Sequence, residues 1–140
     1  MVACGIDIVQ IERIENALAK QGSAFADRVY TKAEQEICEG RHEARRIESL
    51  SGRFAAKEAV AKALGTGIGG KGVAMTELEI LNRENGAPYV VLKGHAREVY
   101  NQMQGRSISI SISHDGGFAV AYCCIEYDAN EEKKENEGKQ

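Results

Sequence analysis

Several absences narrow the class of this sequence. No apolar run approaches the roughly 20 residues needed to cross a bilayer. The opening stretch from Met1 to Asp7 has no basic n-region and places a carboxylate where a signal peptide would be apolar. A cytoplasmic chain that does not enter a membrane is expected. An excess of positive charge is missing too: 18 Lys+Arg stand against 21 Asp+Glu, a net charge of −3, whereas a nucleic-acid binder gathers a basic excess on one face. No nucleic-acid partner is expected. The four cysteines, Cys4, Cys38, Cys123 and Cys124, form no C-x-x-C pair, and His42, His95 and His114 lie far from them at no zinc-ligand spacing. They read as reduced thiols. A G-x-S-x-G elbow and repeats of solenoid length are likewise absent.

What is present fits one domain, since a chain of 140 residues is well short of the roughly 250 at which cores divide. Val2 to Val9 reads as a strand, with Cys4, Ile6 and Ile8 on one face and Ala3, Gly5, Asp7 and Val9 on the other. Ile11, Ile14 and Leu18 recur at helical spacing before a stop near Gly22. Thr31-Lys32-Ala33-Glu34 matches a capping box and predicts a helix to about Gly40. Alanine-rich Ser49 to Leu64, closed by Gly65, predicts the longest helix. Glu77 to Leu81 and Tyr89 to Leu92 flank Asn85-Gly86, a hairpin signal in which both residues take positive φ. Gly94 to Gln104 is helical in period, and Ser107 to Ser113 alternates serine with isoleucine, so that Ile108, Ile110 and Ile112 face a core. His114 to Gly117 reads as the turn into a last strand, Phe118 to Ile125. The sum is an α+β domain over residues 1–127, an antiparallel sheet packed with one long helix and shorter ones. The charged stretch 128–140 is expected to be a disordered polar tail.

Four places could carry chemistry. Asp7 lies between Ile6 and Ile8, where an ionised carboxylate needs compensation. It is either a strand-end acid satisfied by backbone donors or an arginine, or a metal ligand for which Ala3 and Gly5 leave room. Phe54, Glu58 and Lys62 share one stripe of the long helix at steps of four, which fits an ordinary surface ion pair or a catalytic pair. The glycine-rich stretch from Gly65 to Gly70 follows a helix and lacks the Lys-Ser/Thr of a P-loop, so it is either a connection or a place for backbone donors to meet a phosphate. His114 is either a histidine without a chemical task or a donor to a phosphate or base. It makes no triad with Asp115, because strand neighbours point to opposite faces.

Together Gly5-Ile6-Asp7-Ile8-Val9 with Ile11-Glu12-Arg13-Ile14, Phe25-Ala26-Asp27-Arg28-Val29, Gly52 through Ile68, and Ser111-Ile112-Ser113-His114 resemble the holo-acyl-carrier-protein synthase family in order and spacing, over nearly everything from Val2 to Glu126. The resemblance implies the 4′-phosphopantetheinyl transferase fold. It also implies Mg²⁺-dependent transfer of the phosphopantetheine arm of coenzyme A to a serine of apo-acyl carrier protein, releasing adenosine 3′,5′-bisphosphate, in fatty acid biosynthesis. By position it makes Asp7 and Glu58 the Mg²⁺ ligands, which agrees with the preference of Mg²⁺ for few carboxylates plus substrate phosphates. Lys62 then lies by the transferring phosphates, and Glu58, directly or through a metal-bound water, is the candidate base, with Asp7 the third catalytic residue. Arg45, Arg53 and His114 hold the nucleotide's phosphates, while Phe54, Gly65, Thr66 and Pro88 complete the cofactor site. The acidic carrier docks on Arg13, Leu18, Lys20, Phe25 and Arg28, and the chain works as a homotrimer with sites between subunits. One departure shows: Ala3 stands where the family often has glycine, which matters if that position needs positive φ. Two rivals remain, a module that holds coenzyme A without turnover and a structural oligomer in which Glu58 and Lys62 form only a salt bridge.

Overall fold

The computed structural model describes residues 1–128, in the order β1 (Val2–Gln10), α1 (Ile11–Gln21), α2 (Ser23–Val29), α3 (Lys32–Glu39), α4 (Glu43–Leu64), a 3₁₀ turn (Met75–Glu77), β2 (Leu78–Asn82), β3 (Pro88–Leu92), α5 (Gly94–Gln102), β4 (Gly105–Asp115) and β5 (Phe118–Tyr127). Beyond Asp128 the expected polar tail lies outside the described residues. No helix among those described is long and apolar enough to cross a membrane. The α+β architecture is as expected.

Helix α4 is the axis. It begins at Glu43 rather than Ser49, because Ile47 and Leu50 already face the core while Glu43, Arg45 and Glu48 point out. From Leu50 to Leu64 it is buried almost all round, as a helix central to its layer must be. The stripe Phe54, Glu58, Lys62 alone stays partly or fully open. Gly65 ends it with φ 78°, a left-handed cap whose N–H reaches the carbonyls of Ala61 and Lys62.

An antiparallel sheet of order β1-β5-β4 lies across this axis, with Asp7 opposite Ala121 and Ile112 opposite the same alanine on the other side. Small side chains set the separation. A Cβ on Gly5 would overlap the Ala59 carbonyl oxygen, so strand and helix touch backbone to backbone there. On β5, Ala119, Ala121, Cys123 and Ile125 are fully or nearly fully buried on the same side. The bulky face of β1 therefore turns outward: Val2, Ile6 and Ile8 are each about 60% exposed. Ala3 sits in regular strand, and Gln104 is the only non-glycine residue with positive φ among those described, so the alanine costs nothing in backbone strain.

One element is added and two local readings are corrected. Ser23–Val29 forms a helix that the sequence did not announce, because Gly22, at φ 54°, both stops α1 and starts α2, leaving no linker to mark the boundary. The turn before β5 is only Gly116-Gly117: Asp115 pairs with Phe118, and His114 belongs to β4, on the same face as Ile112. In the β2–β3 hairpin only Gly86 has positive φ; Asn85 instead uses its side-chain oxygen to accept the Ala87 N–H, and a five-residue loop from Arg83 to Ala87 makes the turn. Elsewhere the capping box at Thr31 and Glu34 is present, all four cysteines are free, and Ile108, Ile110 and Ile112 pack on the core.

Glu34 has a second task. Its Oε1 accepts from Lys57 Nζ at 2.7 Å, and both side chains are fully buried. Lys57 also donates to the carbonyls of Met75 and Leu78, at 2.9 and 2.7 Å, and Glu34 Oε2 accepts the Ile80 N–H at 3.1 Å. Burial pushes the Lys57 ammonium below its ordinary pKa, against the attraction of Glu34. Such a pair ties α3, α4 and β2 together at high stakes, since removing one partner strands the other charge. Lys57→Met is expected to cost about 3–5 kcal/mol in urea unfolding. The double variant Lys57→Met, Glu34→Gln should recover part of that loss, because the amide keeps the helix cap without an unpaired charge.

Candidate active site

The strand and the long helix bring the two acids together. Asp7 sits on the inner face of β1, one alternation beyond Gly5, and meets the open stripe of α4. Lys62 Nζ donates to the Ile6 carbonyl at 2.8 Å and to Asp7 Oδ1 at 3.3 Å. Glu58 lies one turn back along the helix. Its carboxyl is pushed above the usual carboxylate pKa by partial burial first and by the Asp7 charge second, while Lys62 and Arg13 pull it down. A half-buried Glu58 whose charge is disfavoured by neighbouring Asp7, with the half-exposed Lys62 ammonium beside them, forms a place suited to a further cation.

Two acids are also a fitting donor set for Mg²⁺. This hard ion keeps several waters and commonly takes one or two carboxylates plus phosphate oxygens. Among the described residues no group of three or more His, Cys, Asp or Glu converges as a metal cage. An all-protein site is therefore not what the fold offers; substrate oxygens would have to complete the shell. Gly65 and Thr66 follow at the end of α4, just beyond Lys62.

A second group gathers at the other end of the helix. Arg41, Arg45, Ser49, Gly52, Arg53, Asn82, Gly86, Pro88, Ile112 and His114 surround a cleft of about 330 Å³. Gly52 is needed here, because a Cβ would stand 2.9 Å from both His114 Nε2 and the Ile112 methyl, tighter than packing allows. His114 Nε2 lies 2.8 Å from the Glu48 carbonyl oxygen. Arg53 is buried and donates to the Ile80 carbonyl at 3.1 Å, Ser49 Oγ at 2.6 Å and Asn82 Oδ1 at 2.6 Å. Of the expected cofactor residues, Arg45, Arg53, Pro88 and His114 thus share one cleft.

Asp7, Glu58 and Lys62 are not on that lining. The reason is helical geometry: Arg53 and Glu58 stand 5 positions apart on α4, about 140° around its axis. Phe54 belongs to neither group. Its ring stacks on Phe25 with centroids 6.5 Å apart, and the Arg13 guanidinium lies 6.0 Å over it. Arg28 covers Phe25 at 5.8 Å. Phe25 itself is buried, so of the expected docking residues it supports the surface that Arg13, Lys20 and Arg28 present, with Leu18 half-buried beside them.

Sequence reasoning missed Lys57, Ser49, Asn82 and Arg41. A signal existed for Lys57, since Leu50, Lys57 and Leu64 recur every seven residues on the buried side of the helix. For the cleft there was none, because its walls come from α4, the hairpin and β4, distant in sequence.

A family model described as the 4′-phosphopantetheinyl transferase superfamily matches residues 3–123. A holo-[acyl-carrier-protein] synthase of Ruminiclostridium cellulolyticum is 47% identical over 121 residues, covering 86% of this chain and 89% of its own. The crystal structure of the Helicobacter pylori holo-[acyl-carrier-protein] synthase in complex with coenzyme A superposes with a TM-score of 0.76 at 35% identity, covering 88% of this chain and 99% of that one. The Neisseria meningitidis synthase gives a TM-score of 0.81 at 31% identity, covering 90% and 99%. With family model, sequence and fold thus matched along nearly its whole described length, the chain belongs to the holo-[acyl-carrier-protein] synthases of the 4′-phosphopantetheinyl transferase superfamily.

Proposed function

We propose that this enzyme moves 4′-phosphopantetheine from coenzyme A to a serine of an apo-acyl carrier protein, with Mg²⁺ held by Asp7 and Glu58, and so supplies carriers for fatty acid biosynthesis. The observation that carries the proposal is the meeting of Asp7, Glu58 and Lys62 across β1 and α4. When bound, Mg²⁺ supplies neutralisation of the negative charge on the pyrophosphate. Lys62, half exposed, exchanges its contact with Asp7 for a phosphate oxygen. The serine hydroxyl attacks the phosphorus bearing the pantetheine arm, and the P–O bond to the nucleotide phosphate breaks. The serine proton passes to Glu58, directly or through an intervening water. Adenosine 3′,5′-bisphosphate leaves with the electron pair of the broken bond.

The cleft of Arg45, Arg53, Pro88 and His114 takes the nucleotide end of the same donor. Because it opens on a different side of α4 from the acids, one donor molecule is served by the cleft of one subunit and the acids of the next, which favours the homotrimer. The exposed Val2, Ile6, Ile8, Phe118 and Tyr122 give that assembly an apolar face to bury. Arg13, Lys20 and Arg28, braced by Phe25 and Phe54, form a basic rim that steers an acidic carrier to the serine site.

Glu58→Gln is expected to lower kcat by at least about 10²-fold, read as phosphopantetheine mass added to the apo-carrier. An unchanged rate would remove the proposal. Chelation with EDTA should abolish transfer, and Mg²⁺ should restore it. Mixing inactive Glu58→Gln with inactive Arg45→Gln subunits should return part of the activity if the site is shared between chains. Stability gives a further check. A carboxyl whose folded pKa exceeds its unfolded value binds more protons when folded, so stability falls as pH rises between the two values. In metal-free buffer Glu58→Gln should therefore be slightly more stable than the parent at pH 7, by less than about 1 kcal/mol given its partial exposure. The gain should vanish below the ordinary carboxylate pKa. Added Mg²⁺ with adenosine 3′,5′-bisphosphate should raise Tm of the parent more than that of the variant.

A further inference from the structure

We infer that Cys4 and Cys124 form a paired-thiol site on the outer face of the sheet, which closes to a disulfide by exchange with a low-molecular-weight disulfide and reopens with a thiol. The inference rests on the β1–β5 ladder and holds whichever reaction the chain performs. Register supplies the first observation: Cys4 stands directly opposite Cys124. At one end of the ladder Met1 and Tyr127 exchange two hydrogen bonds, each of 2.9 Å, and at the other the Ile11 N–H donates to the Gly117 carbonyl at 2.9 Å. Hydrogen-bonded and non-hydrogen-bonded pairs alternate along an antiparallel ladder, so the odd-numbered residues of β1 occupy the first kind and Cys4 the second. Partners of the second kind are the closer ones. Their Cα atoms stand about 4.5 Å apart, within the roughly 4.4–6.8 Å that a disulfide spans.

The surroundings give the two thiols different tasks. Cys4 is exposed, and the Tyr122 hydroxyl donates to its sulfur at 3.0 Å, where it steadies negative charge as that sulfur attacks. Cys124 is half-buried; this burial, and after it the neighbouring Cys4, pushes its thiol above the ordinary cysteine pKa. On its other side β4 offers Ser109, so Cys4 is the sulfur that faces it across the strands. Cys38 and Cys123 are buried in the core and take no part. An accessible thiol beside a resolving partner is the kind that oxidation selects. In the exchange Cys4 gives its proton to water and its sulfur attacks glutathione disulfide, whose S–S bond breaks as one glutathione thiolate leaves with the electron pair. Cys124, deprotonated in turn, attacks the Cys4 sulfur of the mixed disulfide and expels the second glutathione. Two protein thiols are thereby oxidised, and one glutathione disulfide is reduced to two thiols.

The whole chain, reduced and then freed of reductant, is incubated with glutathione disulfide over a dilution series, so that association of copies does not hide the pair. Alkylation in denaturant followed by tandem mass analysis of peptides reads each cysteine. In the parent Cys4 and Cys124 should become linked while Cys38 and Cys123 remain open to alkylation, and dithiothreitol should restore all four thiols. Cys124→Ser should stop at a mixed disulfide on Cys4, whereas Cys4→Ser should stay unmodified at Cys124 over the same time. Closure should also raise Tm, because it ties together residues near the two ends of the described fold. A parent that stops at the mixed disulfide, links Cys123 instead, or loses no thiol at any dilution overturns the inference. A Tm that falls on closure overturns it as well, since the pair would then be strained.

Discussion

The backbone of β1 lies against the backbone of α4 at Gly5 and Ala59, and everything that could perform chemistry follows from that approach. A side chain on Gly5 would push the strand away from the helix. With the strand held close, the next inward residue, Asp7, arrives beside Glu58 and Lys62 rather than in solvent. Interiors pack at crystal-like density, so such a contact cannot loosen by degrees; it is made or it is lost. The same approach explains the run of small buried residues on both surfaces, Ala55, Ala56, Ala59 and Ala63 on the helix and Ala119 and Ala121 on β5.

Along α4, charged residues divide between structure and chemistry by their angle around the axis. Lys57 and Glu58 are adjacent, yet about 100° of helical turn separates them. Lys57 points into the core, where it ends on one carboxylate and two carbonyls. Glu58 points to the seam with β1. Arg53, one turn before Lys57, repeats the structural use by binding the β2–β3 hairpin through Ile80 and Asn82. These two cations anchor the hairpin to the helix and so hold the cleft open. Arg45, without such partners, is free for a ligand.

Two features of the chain concern α4 and the sheet packed on it. Its acids and the cleft of Arg45 and His114 lie on different sides of α4, and its sheet turns isoleucines rather than serines to the outside of β1. Close packing under the helix requires small residues on the inner face, so the apolar bulk of the strand has only the outer face left. Val2, Ile6 and Ile8 are accordingly left exposed on that face.

The elements themselves were largely legible in the sequence. The capping box at Thr31, the alanine-rich helix ended by Gly65, the serine–isoleucine alternation of β4 and the isolated acid in β1 are local patterns, and local rules read them. The stripe Phe54, Glu58, Lys62 was visible as well, since helical period alone places those three on one side. What the period did not tell was that each meets a different neighbour: Phe54 meets Phe25, while Glu58 and Lys62 meet Asp7. Tertiary structure decided this, along with the second role of Glu34, the burial of Lys57, the place of His114 within a strand and the outward turn of Ile6 and Ile8. Each depends on how near two distant segments come, and that distance is set by the packing of whole surfaces, which no short window of sequence contains.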